Sequence, residues 1–118
     1  MKTLTGHLDF IWSIVLLQDD STLLSGGIDK TIKMWDINTG NLIRNLPTEH
    51  TSHITKLMQL SRELIVSCAN DGSIKFWDFK GNVCAHTIQL EVGVSTMLLT
   101  NEQGIVAVGQ DKNIYLCD

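Results

Sequence analysis

The feature that most constrains this chain is a twelve-residue pattern that returns twice. Residues 25–36 read SGGIDKTIKMWD, residues 67–78 read SCANDGSIKFWD, and residues 107–118 read AVGQDKNIYLCD, with starts 42 and then 40 residues apart. Repetition at that period means an array of small units that bury their apolar faces against one another. The copies share an aspartate (Asp29, Asp71, Asp111), an isoleucine three residues on (Ile32, Ile74, Ile114) and a closing aspartate (Asp36, Asp78, Asp118), and two of them close with Trp-Asp. Each reads as a β-hairpin: a small-residue strand end, a turn built on Asp, then a strand rich in Ile, Trp, Phe and Tyr. Asp71-Gly72 is a strong two-residue turn signal. Asp29-Lys30 and Asp111-Lys112 put a residue less tolerant of positive φ at the same place.

The spacing predicts strands over 1–4, 11–17, 23–25, 42–46, 54–60, 64–68, 74–78, 83–88, 94–100, 105–109 and 114–117, with turns at 19–22, 61–63 and 80–82. The third unit stops one strand short. No stretch keeps a helical period over ten residues, so the chain is all-β, with strands of about four to seven residues. Several strands are apolar on both faces, as in Leu23-Leu24 and the run from Ile105 to Val108, the pattern of sheets covered on two sides. Four-stranded sheets stacked radially about an axis supply that environment.

At 118 residues, 43% apolar and 19% charged, the chain has the composition of a soluble globular protein with one modest core. No apolar run reaches membrane-spanning length, and MKTLTGHLDF lacks the apolar centre of a secretory signal, so a cytosolic or nuclear setting is expected. Cys68, Cys84 and Cys117 are odd in number and lack C-x-x-C spacing, which points to buried reduced thiols. A net charge of −4 argues against binding nucleic acid through its phosphates.

From Gly6-His7 to Trp35-Asp36 and through the later copies, these residues resemble the WD40 repeat family, whose members are β-propellers. The resemblance spans nearly the whole chain and divides it into repeats at about 4–46, 47–88 and 89–118. It implies a hydrogen-bonded tetrad in each blade: His7, Ser25, Asp29 and Trp35 in the first, and His50, Ser67, Asp71 and Trp77 in the second, where Glu49 stands in place of the usual glycine. The third blade keeps only Asp111, with Ala107 and Cys117 where Ser and Trp would stand and no histidine near Leu90, which leaves Asp111 without its partners. An aspartate in a tight turn beside a packed sheet needs donors for its carboxylate, and a histidine, a hydroxyl and a backbone N–H supply them. His7, Asp29 and Ser25 are therefore structural rather than a hydrolase triad, since Ser25 sits in a strand without a G-x-S-x-G elbow. His50, His53, Cys84 and His86 lack paired zinc-ligand spacing, and Gly26-Gly27, with no Lys-Ser/Thr at Walker spacing, reads as close-packed strand glycine.

The resemblance also implies that partners bind the narrow top face, at the start of each innermost strand and at the residue before each tetrad aspartate. Those positions are Phe10, Trp12 and Ile28, then His53, Thr55 and Asn70, then Gly93, Ser95 and Gln110. Exposed Phe and Trp in one patch make an interface anchor; the competing reading buries Trp12 between blades, as is usual for aromatics. Propellers close with about four to eight blades, so three form part of a longer propeller or are completed by further copies. A register that starts with an outer strand and ends after a third strand fits a whole number of blades. The expected function is a non-catalytic scaffold for a protein or peptide partner, with no cofactor, metal, nucleic acid or membrane. The alternative is a substrate-docking module of an enzyme complex, for example for ubiquitin-conjugated proteins.

Overall fold

The protein is described by a computed structural model that covers residues 1–46, 48–78, 83–101 and 104–117. Its strands are β1 (Ile11–Leu16), β2 (Thr22–Gly27), β3 (Ile32–Asp36), β4 (Asn41–Leu46), β5 (Ile54–Gln59), β6 (Leu64–Ala69), β7 (Ser73–Asp78), β8 (Val83–Gln89), β9 (Val94–Leu99), β10 (Ile105–Gly109) and β11 (Ile114–Cys117). They form three antiparallel meanders, β1-β2-β3-β4, β5-β6-β7-β8 and β9-β10-β11. Among the described residues there is no helix, and the third blade has three strands.

The signature turn has one geometry in all three blades. The residue after the aspartate takes the left-handed conformation, with φ of 66° at Lys30, 85° at Gly72 and 73° at Lys112. Each aspartate Oδ1 accepts the backbone N–H two residues on, from Thr31, Ser73 and Asn113. These bonds hold a lysine where a glycine would be unstrained. The strand expected over residues 1–4 does not form. A lone segment finds no ladder to pair with; instead Lys2 Nζ donates to the Asn38 carbonyl, and Leu4 packs beside Gly40 in the β3–β4 turn. The turn expected at 80–82 lies outside the described residues.

Strand alternation sends one set of side chains to each side of the middle blade. Ile65 and Trp77 join Leu17, Leu24, Ile32, Met34, Leu46, Ile54 and Leu57 in a cluster between the first two blades. Val66, Cys68 and Ile74 join Val94, Met97, Ile105 and Ala107 between the second and third. Buried polar bonds fix the spacing of the blades: Leu57 N–H donates to Ser13 Oγ at 2.9 Å, and Thr55 Oγ1 donates to the Val94 carbonyl at 2.7 Å. The two outer faces carry Ile14, Leu98, Ile114 and Leu116, which are exposed. Among the described residues no disulfide forms; Cys68 is buried, as expected, while Cys84 and Cys117 are half-buried. Burial pushes the Cys68 thiol up to about 11.

Candidate functional site

Two networks of polar side chains fasten the top of the first two blades. In the first blade, Trp35 Nε1–H donates to Ser25 Oγ at 2.8 Å, Ser25 Oγ lies 2.6 Å from His7 Nε2, and His7 Nδ1 lies 2.8 Å from Asp29 Oδ2. Two of these directions follow from the groups themselves: the indole N–H donates to Ser25 Oγ, and the Asp29 carboxylate accepts from His7 Nδ1–H. Asp29 also accepts from Leu8 N–H and from the Thr31 hydroxyl. Burial raises the Asp29 carboxyl, but the donors on His7, Thr31 and Leu8 outweigh it and hold the carboxyl down at about 2.

The second blade keeps the residue types and changes the wiring. Trp77, Ser67 and His50 repeat the first two bonds, at 2.9 and 2.7 Å. His50 Nδ1, however, lies 2.7 Å from Ser73 Oγ, and Asp71 stands 3.6 Å away. Ser73 donates to Asp71 Oδ1 and so relays the bond. Burial pushes the imidazole of His50 down, aided by Lys75 and opposed by Asp71. Thr31 and Ser73, whose hydroxyls donate to the aspartate of their blade, were not singled out in the sequence, although a hydroxyl two residues after the aspartate is visible in both copies. In the third blade Asp111 is not without partners: Tyr115 Oη–H and Asn113 donate to it. Tyr115 starts from β11, where the apolar pattern masked a local cap on an exposed carboxylate.

The top face is built by a bulge repeated three times. Ile11 pairs with Gly27 and Ser13 with Gly26, so Trp12 is left over between them. The same slip leaves Thr55 between Ile54 and Lys56, and Ser95 between Val94 and Thr96. A bulge re-aims the unpaired residue, and in each blade one backbone bond locks it: Ile28 N–H to Phe10, Asn70 N–H to His53 and Gln110 N–H to Gly93, all to carbonyl oxygen at 2.9 Å. Gly27 permits this closeness, since a Cβ there would meet the Phe10 carbonyl oxygen at 2.1 Å. The nine top-face positions are thus three copies of one corner.

Five of the nine, Trp12, Thr55, Asn70, Ser95 and Gln110, line one cavity of about 330 Å³. Trp12 is 47% exposed and Phe10 73%, and His53 meets Trp12 edge-on with ring centroids 5.4 Å apart. Ile28 and Phe10 stay outside the cavity lining. Leu8, 92% exposed, is a further exposed apolar side chain and was not singled out in the sequence, where it looks like a loop residue. Gln110 Nε2 donates to Asn70 Oδ1, and Asn70 Nδ2 lies 3.4 Å from His53 Nδ1, so a strip of amide groups crosses from the third blade to the second. Among the described residues no group of three or more His, Cys, Asp or Glu converges on a metal position.

The family model described as WD domain, G-beta repeat, matches residues 1–36 and 40–78. The chain is 25% identical to a WD repeat-containing protein 55 homolog of Drosophila willistoni, over 98% of this chain and 23% of that protein. It is 25% identical to the target of rapamycin complex subunit wat1 of Schizosaccharomyces pombe, over 98% and 38%, and 28% identical to protein tipD of Dictyostelium discoideum, over 99% and 19%. The WD40 β-propeller domain of Doa1, a crystal structure, superposes with a TM-score of 0.87 at 26% identity, covering 96% of this chain and 38% of that one. The chain therefore spans well under half the length of these relatives.

Proposed function

Because the chain belongs to the WD domain, G-beta repeat family, we propose that it is a non-catalytic scaffold whose top face holds a protein or peptide partner, as part of a larger propeller. The observation that carries this reading is the three bulged residues, Trp12, Thr55 and Ser95, turned toward one cavity beside an exposed Phe10. A half-exposed tryptophan fixed by backbone geometry costs little entropy on binding and can anchor an interface. The histidine networks have no such role, since their donors and acceptors are spent on one another. The open outer faces and the greater length of the relatives support further blades on either side.

Site-specific photocrosslinking in cells tests this. A photoreactive amino acid in place of Phe10 should give discrete protein adducts, and the same group in place of Arg62, in the exposed turn at the other end of β5, should not. Adducts from position 62 alone, or equally from both, would overturn the reading.

A further inference from the structure

The chemistry of the cavity narrows the kind of partner. We infer that it takes an uncharged, extended peptide segment, whose amide groups pair with the Asn70–Gln110 strip and whose large apolar side chain lies against Trp12. This rests on the top-face reading given above.

Trp12, Thr55, Asn70, Ser95 and Gln110 are all neutral. A Lys, Arg, Asp or Glu seated among them would lose water without gaining a counter-ion, a strongly unfavourable exchange. Neutral groups with unused hydrogen-bonding capacity are present instead. The Trp12 indole N–H and the Ser95 hydroxyl make no bond to any described residue, and Gln110 spends one of its two amide hydrogens on Asn70. Thr55 has already donated its hydrogen to the Val94 carbonyl and can only accept. A ligand that satisfies this set must offer both an acceptor and a donor side by side, which is what a peptide unit or a side-chain carboxamide offers. The apolar part has its own place: Trp12 lines the cavity and is half-exposed, and Phe10, two residues before it, is exposed, so a large apolar side chain on the ligand meets aromatic surface next to the hydrogen-bonding groups.

A displayed library of random heptapeptides, selected on the full chain, tests the inference. The expected selection is a neutral consensus with one aromatic or large aliphatic residue next to Asn, Gln or Ser. Synthetic peptides of that consensus should lose about thirtyfold or more in affinity on Trp12→Ala and at least about tenfold on Gln110→Glu, which replaces a donor by a charge. The Gln110→Glu unfolding midpoint should match the parent because Gln110 is exposed. A consensus rich in Lys and Arg, or in Asp and Glu, that still needs Trp12 would overturn the chemistry inferred here and leave the top-face reading standing. Peptides that bind Trp12→Ala as well as the parent would overturn both. No selection above a blank surface would also overturn the inference.

Discussion

Replacing Asp29 by alanine tests whether the polar networks hold the fold. Asp29 accepts from His7 Nδ1 at 2.8 Å, Leu8 N at 3.1 Å, Thr31 N at 3.1 Å and Thr31 Oγ1 at 2.8 Å. Leu8 is exposed, and water replaces the carboxylate there at little cost. The His7 side chain is only 4% exposed, so without the carboxylate its Nδ1–H keeps only the long 3.4 Å contact to Thr31 Oγ1, a loss of about 1 to 3 kcal/mol. The second blade provides the internal contrast. In Asp71→Ala, His50 Nδ1 keeps Ser73 at 2.7 Å, so the cost should be about 1 kcal/mol, whereas Ser73→Ala strands the buried imidazole and should cost about 1 to 3 kcal/mol. Urea unfolding followed by circular dichroism reads all three, provided the slope m is unchanged. An Asp29→Ala midpoint equal to the parent's, or an Asp71→Ala loss larger than the Asp29→Ala loss, would refute the wiring.

Stability should fall in two stages as the solution is acidified. His50 is held below its ordinary value of 6.5, so the unfolded chain takes up that proton first and stability drops as pH falls below about 6.5; Asp29, at about 2 against an ordinary 3.8, contributes stability that is present above 3.8 and lost as pH falls toward 2. Urea midpoints between pH 8 and 2 check both, and a flat profile would contradict them. Glu49 holds a φ of 82° at the position the family fills with glycine, so Glu49→Gly should stabilise by about 0.5 to 1 kcal/mol in the same assay; a lower midpoint would count against it. The exposed Ile14, Leu98, Ile114 and Leu116 of the outer faces, with the bare edge of β11, should drive the isolated 118 residues to a dimer, a larger species or aggregates. Light scattering that finds monomer mass with a sharp, cooperative unfolding transition would contradict that.

The repeat made the fold legible because each copy of the signature fixes a turn, two strands and the side each residue faces; the strands of the middle blade, apolar on both sides, could only lie inside a stack. The membership of His7, Ser25, Asp29 and Trp35 in one network was legible for the same reason. What the sequence hid was geometry finer than side-chain type. Nothing in TEHTSH or DGS says that the His50 ring will lie 3.6 Å from Asp71 and bond to Ser73 instead. The top-face positions could be matched by spacing, yet the cause of their convergence, a one-residue slip of β1 on β2, β5 on β6 and β9 on β10, leaves no mark on composition. Residues 1–4 have strand-like composition but no neighbour in this chain to pair with, and pairing decides the matter.

The most direct test of the central claim is the affinity of a crosslinked partner for the Phe10→Ala/Trp12→Ala variant, measured by titration calorimetry. Both side chains are exposed and neither belongs to a core cluster, so the account predicts a loss of about 2 kcal/mol or more in binding, with an unfolding midpoint close to the parent's. Unchanged affinity, or a loss of about 3 to 5 kcal/mol in stability of the kind that truncating a buried aromatic produces, would contradict it.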